Sequence, residues 1–544
     1  PAANTSFFAI LLGSDNGGTV TPTDGSVTGD KVASTGAFTI GAAGTASSLA
    51  GISFYKADNS IYTHDVSGTD NTAEFNTAFG VNALDAITDG DKHVAIGYNA
   101  GTAVTTAVGN VLIGEAAGAA LTTGGSNTLI GRLAGDAFDT EANNIAIGVA
   151  SLGGSVAGGE YNVAVGNYTL DALTSGDYNT AVGYNAGTDL TTGDRNTFIG
   201  HEAGKDCIGG GQNVCIGDAA GSGALATAAG RNVMIGRNAG QSGTDAEHNV
   251  FVGFEAGKSV TTGTYSVFIG PNAGDGHDTE GSNIAIGYDA LGGSVAGGEN
   301  NVAVGIYALD ALTSADFCVA AGYQALTNCT TGGSNIALGR LAGDAVVDED
   351  YTVCIGHGAG DDYIGAQSIM LGAFTRQHSS GDNEANAVCI GYNVNTGRGN
   401  QVHLGNTSVT AIKGQVSFGT YSDERIKRDI VDTDLGLEFV NKLKPRKFKR
   451  KDPEEYADLF GEANKAPIKD DEKENVFDGL IAQEVEAVCN ELDVSFSGHE
   501  VSTSQGNKQS IQYETLVVPL IKAVQELSAQ ITTLQQELKI IKGE

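Results

Sequence analysis

From residue 76 onward the chain repeats one short pattern: Asn, a small or β-branched residue, an apolar residue, Ile or Val, then Gly. NTAFG ends at Gly80, HVAIG at Gly97, NTLIG at Gly131, NTAVG at Gly183 and NVFVG at Gly253. The closing glycines fall at 80, 97, 114, 131, 148, 166, 183, 200, 217, 236, 253, 270, 287, 305, 322, 339, 356, 372, 391 and 405, a spacing of 17 with few exceptions. An apolar alternation that stops at Gly predicts a short β-strand and then a turn at positive φ. The small-residue triplet that follows, commonly NAG or EAG, predicts a second turn. One such strand cannot bury a face alone, but coils stacked at about 4.8 Å pair strand on strand and bury a continuous apolar column. The Asn that opens most patterns predicts a ladder of side-chain hydrogen bonds from coil to coil. The expected fold is mainly β: a parallel β-roll or β-helix of 17-residue repeats over residues 71–405.

A longer period lies over the short one. GGSVAGGEYNVAVGNYTLDALTSGDYN from Gly153 returns as GGSVAGGENNVAVGIYALDALTSADFC from Gly292, an offset of 139 residues or eight coils. This is the mark of a duplicated block. Residues 1–70 hold few repeats and are expected to form an attachment or initial β segment.

After Gly405 the pattern stops. Residues 406–421 read as a connecting β segment, and from SDERIKRDI at Ser422 charged residues crowd the chain. At the far end Tyr513, Val517, Leu520, Val524, Leu527, Ile531, Leu534, Leu538 and Ile541 alternate in steps of four and three. That spacing is an a/d seam and predicts a parallel coiled-coil helix over 512–542. Mixed Val, Leu and Ile at the seam leaves the number of strands open. Pro519 is tolerated if the first helical turn begins near Val518.

Composition sharpens the division. Of 544 residues 79 are Gly, and 73 of these precede Ser422; there is no Trp. Residues 1–421 carry 13 Lys and Arg against 40 Asp and Glu, and the rest carry 17 against 25. A surface this acidic repels phosphate backbones and anionic headgroups, which argues against nucleic-acid and membrane-surface binding. Collagen is excluded because Gly lacks a three-residue period, and disorder because Ile, Val, Leu and Phe recur regularly. Neither a run of eighteen apolar residues nor a signal-peptide pattern is visible, so synthesis in the cytoplasm and no membrane insertion are expected. Seven Cys lack CxxC spacing. Cys215, Cys354 and Cys389 stand two residues before a pattern Gly and read as small buried residues. Acidic clusters at Asp348-Glu349-Asp350 and Asp361-Asp362 lack the nonapeptide calcium-roll pattern and read as a solvated edge, so neither metal nor cofactor is expected. The basic run Lys444–Lys451 is followed at once by acids and reads as a solvated strand edge.

Two resemblances extend this reading. The NxAIGxxAG repeats of residues 71–405 resemble the head repeats of YadA-like trimeric autotransporter adhesins and related repeats of phage tail fibres, which implies a trimeric β-roll. Residues 422–544, through Ser422-Asp423-Glu424-Arg425-Ile426-Lys427, LGLEFVNKLKPRKFK, GLIAQEVEAV and YETLVVPLIKAVQEL, resemble the intramolecular chaperone auto-processing domain that ends phage endosialidases, tail fibres and tail spikes. That resemblance implies an α+β chaperone which trimerises, assists folding of the β fibre before it, and cuts itself off once. The nucleophile would be Ser422, the general base Lys427 and the scissile bond Tyr421–Ser422. A neutral Lys amine, favoured by burial as the trimer forms, would accept the hydroxyl proton. Gln483 and Glu484 are expected to be structural.

The expected function is therefore a homotrimeric viral tail fibre or spike for host attachment, made in the host cytoplasm and carried on the virion. Its partners would be two further copies, the tail or baseplate, and a cell-surface glycan or protein receptor met at variable turns such as 206–212, 222–230 or 373–386. Two other readings stay open: a structural fibre or cellular adhesin whose repeats are spacers, and a polysaccharide-degrading spike. The last needs paired carboxylates in an aromatic groove, and apart from the two acidic clusters the carboxylates of 71–405 occur mostly singly in turns.

Overall fold

A computed structural model describes residues 47–49, 52–57, 59–63, 70–154, 159–223, 230–293, 298–377, 385–396, 399–406, 408–409, 412–413, 415, 422–451, 455, 473–502 and 508–544. It divides into two units, Pro1–Glu247 and His248–Glu544.

In the first unit an antiparallel meander, Ser47–Leu49, Ile52–Ala57 and Ser60–Tyr62, leads into the repeats. Its last strand pairs in parallel with Thr77–Phe79. Three-residue strands then follow one per coil, each ending just before a pattern Gly, and pair in parallel and in register as far as Val233–Ile235. Most of the expected attachment segment, residues 1–46, lies outside the described residues. The second unit repeats the arrangement from Val250–Val252 to Val402–Leu404. Near its end a short extra pair, Arg376–Gln377 with Asn395–Thr396, joins it. The fold is thus mainly β, a parallel β-solenoid of 17-residue coils.

Each coil has a small core because three of its positions, with few exceptions, turn inward. The middle strand residue is buried, as at Leu129, Phe198 and Cys215, and so is the Ala of the NAG or EAG turn, as at Ala186 and Ala203. An apolar residue seven after the pattern Gly closes the third side, as at Leu121, Phe138 and Leu190. Stacking sets each of these on its equivalent in the next coil; Phe251 and Phe268 lie 5.2 Å apart at 14°. Burial of the apolar columns, at about 25 cal/mol per Å², is the main favourable term, and no single coil can collect it alone.

The Asn column is a buried polar ladder, and it runs chiefly from side chain to backbone. Asn179 Oδ1 accepts from the Asn196 amide at 2.9 Å while Asn179 Nδ2 donates to the Gly193 carbonyl at 2.9 Å. The same two bonds recur at Asn110 and Asn127. His93 replaces Asn without breaking the ladder: one ring nitrogen lies 2.8 Å from the Ala107 carbonyl and the other accepts from the Asn110 amide at 3.2 Å. A buried amide N–H that lacks a partner costs about 1–3 kcal/mol, so the ladder fixes the stacking register by what a slip would orphan.

The pattern Gly has two reasons to be Gly. Gly183 sits at φ +144°, and a Cβ there would lie 2.2 Å from the Gly200 carbonyl oxygen of the next coil. Only hydrogen fits between the stacked backbones. Other turn positions with positive φ hold Tyr178, Arg195 and Glu202. Their local strain is offset by stacking: the Arg195 amide donates to the Asp177 carbonyl and the Glu202 amide to the Tyr184 carbonyl, each at 2.9 Å.

The C-terminal part of the second unit is a separate small core. Helix α1 (Leu437–Lys442), helix α2 (Ala482–Leu492) and the antiparallel pairs Arg446–Phe448 with Phe477–Gly479 and His499–Ser502 with Lys508–Ile511 surround Leu435, Phe439, Val485, Val488 and Phe496. Helix α3 (Val517–Lys542) leaves this core, with Ala523 buried at its root. Glu526 of α3 accepts the Leu437 amide at 2.7 Å and so caps α1, which Gly436 at its N-cap position cannot do by itself.

Candidate self-processing site and assembly surfaces

The chain from Ser422 to Lys427 makes one tight turn. Asp423 precedes a 3-10 turn at Glu424–Ile426, and its carboxylate accepts from the Arg425 amide at 2.9 Å, an N-cap. The Arg425 guanidinium grips the same carboxylate at 3.0 and 2.5 Å, and these bonds hold Asp423 below the usual carboxylate range. The Lys427 amide closes the turn onto the Glu424 carbonyl at 3.0 Å. As a result the Lys427 side chain folds back over the turn, and its Nζ donates to Ser422 Oγ at 2.7 Å. An amine in contact with a hydroxyl is the minimum geometry for general-base activation of a serine, once the amine is neutral. Both residues are exposed in the single chain. Tyr421, on the acyl side of the expected scissile bond, lies outside the described residues, as do 416–420.

Residues 422–494 match the chaperone-of-endosialidase family model. The match begins at Ser422 and takes in α1, α2 and the core between them. A parallel β-solenoid ending in this chaperone module has the make-up of a tail-spike-type fibre. No curated protein matches the chain.

Within the module several charged residues have structural partners. Arg446 clasps Glu484 at 2.6 and 3.1 Å, which holds the Glu484 carboxyl below its usual range and ties the strand Arg446–Phe448 to α2. Lys449 pairs with Glu474, and Arg450 lies 4.8 Å from the centre of the Phe477 ring. Arg446, Lys449 and Arg450 of the basic run thus each have a partner within the module. In the solenoid, Asp350 accepts the Gly333 amide at 2.7 Å and Glu349 the Val347 amide at 2.8 Å, so the acidic cluster caps turns. Among the described residues no group of three or more His, Cys, Asp or Glu is arranged to hold a metal, and no helix is long and apolar enough to cross a membrane. Cys215, Cys354 and Cys389 are buried strand-centre residues.

The seam positions Val517, Leu520, Val524, Leu527, Ile531, Leu534, Leu538 and Ile541 all lie on α3 and all are exposed, from 45% at Leu527 to 81% at Ile541. Tyr513 departs from the expected spacing. It belongs to a 3-10 turn, Tyr513–Leu516, and its hydroxyl accepts the Leu480 amide at 2.8 Å, so it fastens the root of α3 to the module. The regular helix starts at Val517 rather than 512, with Pro519 in its first turn, where a missing N–H has no intrahelical acceptor to lose.

A second apolar surface was not singled out in the sequence. The first and third residues of the strands face outward, yet most of them are apolar too: Ile145 and Ile147, Val182 and Ile199 in the first unit, Ile284 and Ile286, Ile336 and Leu338 in the second, each more than a third exposed. The signal was present, because a strand with one wet face reads as alternating polar and apolar, whereas IAI, VFI and IAL are apolar throughout. A contiguous apolar row of this extent marks an interaction surface.

Proposed function

We propose that this chain is the precursor of a homotrimeric phage tail fibre or spike, whose C-terminal module directs assembly and then releases itself between Tyr421 and Ser422. The observation that carries the reading is the 2.7 Å contact of Lys427 Nζ with Ser422 Oγ at the first residue of the chaperone match. The number of chains is what the family resemblance implies, and their parallel association has two supports. The outward Val and Ile rows and the α3 seam are both apolar surfaces that further copies of the same chain, in the same register, would cover. Glu537 and Lys542 flank the seam five residues apart, a spacing that suits an ion pair between parallel helices.

In the cutting step Ser422 Oγ forms a bond to the Tyr421 carbonyl carbon while Lys427 takes the hydroxyl proton. The Tyr421–Ser422 C–N bond breaks, the proton passes to the new Ser422 amine, and water hydrolyses the remaining ester. Lys427 acts as base only when neutral, and covering the exposed turn by neighbouring chains withdraws the amine from water and favours that form. Cutting is in this way coupled to assembly. Loss of the module leaves a shaft whose chains cannot easily be brought back into register, which is kinetic stability. The coils are assigned the adhesive task, with a host-surface glycan or protein as receptor and the virion tail as the other attachment.

Denaturing electrophoresis with intact mass on wild type, Ser422→Ala and Lys427→Ala tests the site. A fragment ending at Tyr421 in wild type and its absence in both variants is expected. A single uncut chain in all three would make the module a permanent assembly cap, and cutting in Ser422→Ala would remove the dyad.

A further inference from the structure

The duplicated block makes each copy a reference for the other. Carried into the next coil, the alignment places Cys318 where the first copy has Asn179, and Cys329 where it has Leu190. In the first copy these two side chains meet at Gly193: Asn179 donates to its carbonyl at 2.9 Å, and Leu190 packs against its α-carbon side. In the second copy both sulfurs meet the same carbonyl, Gly332 O, at 3.4 Å from Cys318 and 3.2 Å from Cys329. The two sulfurs thus converge on one oxygen, and both residues are fully buried free thiols.

Either exchange alone is unfavourable. A thiol is a weak replacement for a ladder carboxamide, and Cys for Leu empties part of the coil's core. Made together, in one coil and facing one carbonyl, they create something neither supplies: two sulfurs placed to bond. We propose that Cys318 and Cys329 are an oxidisable pair that closes into a cystine within a single coil when the chain meets a small-molecule disulfide.

The chemistry balances as thiol–disulfide exchange. Proximity of the Cys329 thiol favours the Cys318 thiolate against the penalty of burial, whereas the same proximity, with burial, pushes Cys329 up. Cys318 is thus the attacking thiolate. It bonds to one sulfur of the oxidant and expels the other as a thiol; Cys329 then gives up its proton, attacks Cys318 Sγ and expels the second small thiol. The chain is oxidised by two electrons, and one small disulfide is reduced to two thiols. The new bond joins the residue before the strand Val319–Ala321 to the turn after it, so the coil cannot open at that side. A dithiol assembled in a reducing compartment becomes a locked coil in an oxidising one.

The test holds the folded full-length chain with glutathione disulfide at rising temperatures below its unfolding midpoint. Samples are then denatured in N-ethylmaleimide and mapped by mass spectrometry. The expected result is a peptide pair joined through Cys318 and Cys329, lighter by about 2 Da than the dithiol, with the other five cysteines alkylated. Cys329→Leu should instead carry glutathione on Cys318. Amide exchange over 319–329 should slow about tenfold on oxidation in wild type. It should not change in the double variant Cys318→Asn with Cys329→Leu, which restores the residues of the first copy and keeps the fold. Full alkylation of both cysteines at every temperature, or linkage among other cysteines in their place, overturns the proposal.

Discussion

His277 occupies the apolar position that Leu121, Leu190 and Leu312 hold in other coils, fully buried and 5.3 Å from the Phe268 ring. Burial lowers its pKa from 6.5 to about 4, with Glu280 pulling weakly the other way. Between those values the unfolded chain binds a proton that the folded chain refuses. Folded-state stability therefore falls as pH drops through about 6.5 and stops falling near pH 4. At 1.36 kcal/mol per pKa unit, the loss is about 2 kcal/mol at pH 5 and about 3 kcal/mol once both states titrate. His277→Leu removes the window. Denaturant unfolding of the full chain, wild type beside His277→Leu at pH 7.5, 5 and 4, isolates it, because the titration of groups that do not interact with His277 cancels in the difference. The variant should gain on wild type by about 2 kcal/mol between pH 7.5 and pH 5. A difference that stays constant with pH would refute the reasoning and would mean that His277 keeps its proton, or finds water, inside the coil.

Other consequences follow from the coil geometry and the helix. Asn179→Ala should orphan the Asn196 amide and the Gly193 carbonyl, costing about 2–5 kcal/mol and exposing the Asn196 amide to hydrogen exchange, whereas Asn179→His, the exchange already made at His93, should keep most of the protection. Gly183→Ala should open its coil more severely than Ala substitution at an exposed position such as Thr192, seen as early proteolysis near residue 183, because its Cβ meets the Gly200 carbonyl. Leu527→Glu on the exposed α3 face should leave the module folded by circular dichroism and reduce the mass in sedimentation to that of fewer chains; an unchanged mass would remove the seam from assembly.

A good deal of the solenoid was legible in one dimension. Strand, coil length and stacking partner follow from a pattern that returns every 17 residues, since a periodic chain can bury its periodic apolar residues only by stacking like on like. The ladder was legible for the same reason, because a polar residue recurring at a core position must be satisfied by its own neighbours. Ser422 and Lys427 were found through neighbouring motifs, as their spacing alone is common. Their contact depends on a 3-10 turn capped by Asp423.

The rest needed three dimensions. Why the pattern residue must be Gly is decided by the carbonyl of the next coil, a contact between residues 17 apart that local conformational preference does not contain. Tyr178, Arg195 and Glu202 adopt positive φ against their own preferences because hydrogen bonds to the adjacent coil outweigh the strain. Tyr513 left the heptad because Leu480, thirty-three residues earlier, offers its amide. Sequence alone determined the repeat and its register, and it singled out Ser422 and Lys427. Tertiary structure decided which residues touch across coils and which apolar faces stay open, because both depend on atoms that are distant in the chain and adjacent only once it has folded.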